Sequence, residues 1–236
     1  MDGKSAQLSP VQQFYVAVGS PEVKLTTLVD LLLALQANGP FGCAVICSSR
    51  DALDSLVSWL TPIQHTAVRC LHSDLSDDAR TSMLQMYAKD LDHALRYQPQ
   101  EREGSQAEDS EAKKQTRDAS AGAEDSNGNA ALTIGHSSTA ERALAHVLVS
   151  TDAGLRVAES TGLPASLALI VHFDLPQRKE VYLKRMGLFA RRSPLKFTVF
   201  FVTAGEVAAF RMVESFSSGS IDVMPVHISD IFPSQR

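Results

Sequence analysis

The sequence is poor in cysteine, in aromatic residues and in long apolar runs, and it has no excess of positive charge. Three cysteines (Cys43, Cys47 and Cys70) form an odd and sparse set, which argues against a secreted disulfide scaffold and fits a reducing compartment. Cys43 and Cys47 lie in one short apolar run with no second ligand pair for zinc, and read as small core residues. The most apolar stretch, Leu28 to Leu35, is short and holds Asp30, so no segment is expected to span a bilayer. The polar start, Met1 to Ser5, lacks the apolar core of a signal peptide. An intracellular protein, cytoplasmic or nuclear, with no membrane partner is therefore expected. With 27 acidic against 22 basic residues the net charge is −5, which is unlike a strongly basic nucleic-acid binder. Seven histidines are scattered without metal-ligand spacing, so no metal site is expected. No G-x-S-x-G elbow anchors a hydrolase triad, and Gly-rich dinucleotide loops are absent.

What is present is ordinary globular material with one interruption. From Gln98 to Arg142 there is no aromatic residue, and Leu132 and Ile134 are the sole large aliphatics. Such a segment buries too little apolar surface to offset its ordering entropy, so a disordered acidic insertion is expected over 98–142. It carries nine acidic and five basic residues, hence −4 of the total −5. The remainder is nearly neutral, and the chain-wide acidity says little about the folded surface.

On either side of that segment, short apolar runs alternate with amphipathic ones. Strands are expected at Gln13–Val18, Cys43–Cys47, Thr66–Leu71, His146–Ser150, Leu167–Phe173 and Phe197–Val202. Helices are expected from Pro21, over Asp51–Leu60, after the cap at Ser76, and at about 178–186 and 205–216. This alternation implies βαβ units and a parallel sheet with helices on both faces. One α/β domain then runs over 11–97 and 143–232, between a disordered N-terminus at 1–10 and a tail at 233–236. Trp59, Phe200, Phe201, Phe210 and Phe216 are at spacings expected of structural core.

In such a sheet, ligands lie at the carboxyl ends of the strands. Ser48-Ser49-Arg50 follows the second run, His72-Ser73-Asp74 the third (with Arg80 beyond), Ser150-Thr151-Asp152 the fourth and Asp174 the fifth. Hydroxyls and helix-start amides donate to phosphate oxygens, and arginine adds a two-pronged donor. Any one of these residues alone is more often a plain helix cap.

Their order resembles a family. Leu71-His-Ser-Asp-Leu-Ser-Asp-Asp-Ala-Arg80 resembles the LHGxxxQxxR segment of DEAD-box RNA helicases, and His146–Arg156 resembles their vLvxTDxxxRGxD motif. Val171–Pro176 with Tyr182–Arg191 is similar to their YdxP and YxHRxGRxGR run. Val11–Val18 and Ser220–Pro225 are similar to the borders of the initiation-factor-4A branch. The resemblance implies a RecA-like (P-loop NTPase-type) fold, the second of two lobes between which such helicases hold ATP. It implies that Arg50, Ser73, Arg80 and Thr151 contact the sugar-phosphate backbone of single-stranded RNA, with Asp152 bracing the loop. It also implies that Glu159, Arg185 and Arg191 face the nucleotide, Arg191 as a residual arginine finger.

The sequence departs from the family at Leu188 (the other finger), Lys184 (the motif histidine), Ala190, Val157 and Glu159 (the ribose-contacting aspartate). It departs too at Ser73, where the family has glycine, and at Asp77, where it has glutamine. Gly3-Lys4-Ser5 imitates the end of a P-loop with two residues before it and is not expected to hold a nucleotide. No Asp-Glu-Ala-Asp occurs. The expectation is an RNA-binding second lobe without ATPase activity by itself, needing ATP and magnesium only when paired with a first lobe. The partners implied are single-stranded RNA and a first lobe or helicase cofactor protein. Two alternatives stand: the C-terminal portion of a complete ATP-dependent RNA helicase, and a pseudo-helicase scaffold for protein interactions.

Overall fold

The computed structural model describes residues 11–96, 143–159, 162–189 and 196–227. The expected insertion at 98–142 and the two expected terminal segments lie outside these described residues. Among the described residues seven strands form one sheet: β1 (Gln12–Val18), β2 (Phe41–Cys47), β3 (Thr66–Leu71), β4 (Ala145–Thr151), β5 (Leu169–His172), β6 (Phe197–Thr203) and β7 (Asp222–Val223). Their spatial order is β3-β4-β2-β5-β6-β1-β7, and every pairing is parallel. Among the described residues five helices connect them: α1 (Pro21–Gln36), α2 (Arg50–Leu60), α3 (Asp77–Arg96), α4 (Lys179–Gly187) and α5 (Val207–Phe216).

Alternation along the strands divides the core into two faces. Cys43, Val45, Cys47, Val147, Val149, Leu169, Val171, Val199 and Phe201 point to one side, where Leu28, Leu32 and Leu35 of α1 and Leu53, Leu56 and Leu60 of α2 cover them. On the other side, Ala44, Ile46, Leu148 and Ile170 meet Tyr87 and Leu91 of α3, while Phe200 and Val202 meet Phe210 and Val213 of α5. A strand buried on both faces must be apolar at nearly every position, as the unbroken run of β2 is.

Three details depart from the expected elements. The run 167–173 pairs only over Leu169–His172. A short 3₁₀ turn, Gly154–Ala158, follows β4. Asp222–Val223 adds an edge strand beside Phe14 and Tyr15 that alternation in so short a segment cannot reveal. Among the described residues no helix is long and apolar enough to cross a membrane.

Candidate phosphate-binding edge

Because all seven strands are parallel, their carboxyl ends share one edge of the sheet. Arg50, Ser73, Thr151, Asp152 and Asp174 are brought there by β2, β3, β4 and β5, and Arg80 follows on α3. Local structure aims each one. Ser49 caps α2, accepting from the Ala52 amide at 3.1 Å, so Arg50 starts the helix beside β3. Ser76 caps α3 through the Ala79 amide at 3.2 Å and sets Arg80 one turn in. The Thr151 hydroxyl accepts from the Gly154 amide at 3.3 Å, tightening the loop after β4. Gly154 is required there: a Cβ would lie 2.2 Å from the Leu71 carbonyl oxygen and 2.6 Å from Ser150 Oγ.

The arginines of this edge already have carboxylate partners. Arg50 donates through Nε to Asp54 at 2.9 and 3.0 Å and through Nη1 to Asp74 at 2.8 Å, and Asp54 raises the guanidinium pKa further. Arg80 pairs with Asp77, one turn before it on α3, while its buried Nε has no hydrogen-bond partner among the described residues. Asp74 and Asp77 are themselves well exposed, so water can solvate them if an incoming phosphate takes the guanidinium. Ser73 Oγ donates to Asp74 at 3.2 Å.

Arg185 belongs to the interior. Resemblance places it on the nucleotide side, but its side chain is 3% exposed and fully engaged. Nε and Nη2 grip the two oxygens of Asp152 at 2.8 and 2.9 Å, and Nη1 reaches the Asp174 carbonyl at 2.7 Å and His172 Nδ1 at 3.2 Å. All three guanidinium nitrogens are thus committed to groups of the chain itself, against the loop that carries Thr151 and Asp152. His172 lies buried and stacked on Phe200 at 4.2 Å. Burial, then the adjacent Arg185, drives its pKa well below the ordinary histidine value.

Two further positions that the resemblance places on the nucleotide side are also engaged by the chain itself. Glu159 receives a hydrogen bond from Lys184 at 3.2 Å, so two departures from the family pattern in different motifs partner each other. Leu188 is buried in the cluster beside α3 with Phe189, an apolar anchor where the family has a finger. Arg191 lies outside the described residues.

Sequence reasoning missed two members of this edge. Lys24 is 4% exposed; its ammonium donates to Glu206 at 2.8 Å and to the Phe173 carbonyl at 3.0 Å, with Asp174 at 3.9 Å. Glu206 also accepts from the Thr203 amide and hydroxyl, at 2.9 and 2.8 Å. Burial opposes its ionisation, yet the bonds from Lys24 and Thr203 outweigh it, and its pKa is lowered. The signals were legible: Lys24 stands four residues before Leu28 on the buried stripe of α1, and Thr203-x-x-Glu206 is a capping box. Asp174 in turn accepts from the Ser48 amide and hydroxyl at 2.7 and 2.8 Å. Polar contacts thus run from Glu206 through Lys24 and Asp174 to Ser48, and through the Asp174 backbone to Arg185 and Asp152.

No family model matches the sequence. The chain is similar to the C-terminal part of ATP-dependent RNA helicases named eIF4A. It is 24% identical to that of Aspergillus clavatus over 225 residues, which are 95% of this chain and 41% of the relative. The chain spans about two fifths of the length of the curated relatives it matches. Among solved structures, the Escherichia coli DEAD-box protein SrmB bound to regulator of ribonuclease activity A superposes with a TM-score of 0.58 at 17% identity, covering 97% of both chains. Dbp5 of Saccharomyces cerevisiae bound to RNA and ADP BeF3 gives 0.59 at 14% identity, covering 93% of this chain and 43% of that one. The fold is that of a RecA-like DEAD-box domain.

Proposed function

We propose that the chain serves as the second RecA-like lobe of an initiation-factor-4A-like RNA helicase and binds the sugar-phosphate backbone of single-stranded RNA along the carboxyl edge of its sheet. The observation that carries this reading is the gathering of Arg50, Ser73, Arg80 and Thr151 on one edge of an all-parallel sheet. Donors of this kind recognise phosphates without reading bases, so binding is indifferent to sequence and sensitive to salt. The RNA-bound state of Dbp5, a protein of the same fold, supports the assignment.

Hydrolysis of ATP is assigned to this lobe only in partnership with a first lobe. The 236 residues contain no P-loop pattern to hold the phosphates and no Asp-Glu-Ala-Asp to hold magnesium. On this chain's side, Arg185 and Leu188 are buried and Glu159 is paired with Lys184. In a complete helicase the same edge would form one wall of an ATP-driven unwinding site.

A second reading, the protein-interaction scaffold, is favoured by the carboxylates already seated on Arg50 and Arg80. Anisotropy of a fluorescein-labelled oligouridylate separates the two. Under the RNA reading, affinity falls steeply between about 50 and about 200 mM salt, and Arg80→Ala flattens the log–log slope by about 0.7. Absence of binding at low salt overturns it in favour of the scaffold.

A further inference from the structure

Trp59 is the chain's single tryptophan, and the expectation that it fills the core is not met: it is 52% exposed. The reason is helical phase. α2 buries Leu53, Leu56 and Leu60, and Trp59 lies off that stripe. An indole held in water beside an otherwise well-filled core invites a ligand, and the surroundings specify which kind.

Trp59 lines an open groove of about 290 Å³ between α1 and the end of α2, with Thr26, Val29, Asp30, Pro62 and Ile63. The most exposed charged residues of the two helices are acidic, with Arg50 half-buried. Glu22, Asp30, Asp51 and Asp54 are exposed, whereas the basic residues are Lys24, which is buried on Glu206, and Arg50, which is tied to Asp54 and Asp74. A phosphate backbone is repelled by such a surface. A flat cation is suited to it, because an aromatic face and a carboxylate share one recess.

We infer that the groove between α1 and α2 receives an arginine-bearing apolar segment of a protein partner. The guanidinium stacks on the Trp59 indole and donates to the Asp30 carboxylate. A neighbouring aliphatic side chain of the segment covers Val29, Pro62 and Ile63. Arginine is favoured over lysine because its planar, weakly hydrated head both stacks and donates in a fork. Nine helical steps, about 13.5 Å of rise, separate Trp59 from Arg50, so the segment and an RNA on the carboxyl edge can be bound together. The inference therefore does not depend on the RNA reading.

The test uses the full chain and a synthetic nine-residue peptide alternating arginine with leucine, labelled with fluorescein and followed by anisotropy. The intrinsic emission of Trp59 is recorded in parallel. Saturable binding with a change in Trp59 emission is expected, weakened about tenfold by Trp59→Ala and by Asp30→Lys. Twins of the peptide carrying lysine or glutamate for arginine, or serine for leucine, are each expected to bind more weakly, the glutamate twin not measurably. Both substituted residues are exposed, so urea midpoints of the variants should match the parent, which separates lost recognition from lost folding. Oligouridylate affinity should be unchanged by Trp59→Ala. Equal binding of the arginine and glutamate peptides, no saturation, or full binding by both variants overturns the inference.

Discussion

Arg185 grips Asp152 with two parallel hydrogen bonds, at 2.8 and 2.9 Å, from a side chain that is 3% exposed to one that is 44% exposed. Thirty-three residues apart in sequence, the two join helix α4 to the loop after β4. The pair is asymmetric: the cation is sealed in the protein while the carboxylate still touches water.

That asymmetry orders two substitutions. Asp152→Asn leaves a buried guanidinium short of its counter-charge and is expected to destabilise by about 3–5 kcal/mol. Arg185→Met removes the buried charge, fills similar volume and leaves Asp152 to water, so its effect should be smaller. Urea unfolding midpoints measure both; a larger loss in Arg185→Met contradicts this account.

Asp77 is the carboxylate placed where the family pattern has glutamine, and it pairs with Arg80 at the start of α3. Asp77→Gln should free Arg80 for phosphate and tighten oligouridylate binding about two- to fivefold, the scale of an exposed ion pair. Loss of an acidic residue from the first turn of α3 should lower stability by under about 1 kcal/mol. Anisotropy titration and a thermal melt report the two effects separately.

Gly154→Ala and Gly42→Ala place a methyl against different obstacles. At Gly154 the obstacle is the backbone carbonyl of Leu71 at 2.2 Å, whereas at Gly42 it is the end of the buried Leu91 side chain at 2.2 Å, with the Tyr87 hydroxyl at 3.0 Å. Backbone cannot step aside without disturbing β3, so Gly154→Ala should destabilise by about 3 kcal/mol and Gly42→Ala by less. It should also weaken RNA binding, because Thr151 caps that same turn.

His72, His146 and His172 all have pKa values lowered by burial, the last most strongly and with Arg185 adding to the effect. Each takes up its proton at a lower pH in the fold than in the unfolded chain, where protonation occurs near pH 6.5. Stability is therefore complete above about pH 6.5 and falls as the pH drops below it. Glu206, whose pKa is lowered, adds a second loss once the pH falls below about 4.5. Urea midpoints at a series of pH values should show the first decline, and His172→Gln should reduce its slope.

Most of the architecture was legible because it rests on local periodicity. Six of the seven strands and all five helices among the described residues follow from apolar runs, helical spacing and the cap at Ser76. β7 escaped because two residues cannot display alternation and are strand only by pairing with β1. The motif residues were legible as types at strand ends. Their partners were not, because Arg50 with Asp74 and Lys24 with Glu206 are contacts across 24 and 182 residues.

The sequence by itself determined which residues stand at the ends of strands, since the rhythm of burial is written locally in side-chain polarity. Only the tertiary structure decided which of those residues remain available. It buried Arg185 on Asp152, seated Asp74 on Arg50, and exposed Trp59 beside Asp30. Charge neutralisation and exposure depend on distances between segments far apart in the chain, and those distances exist only once the sheet has closed its order.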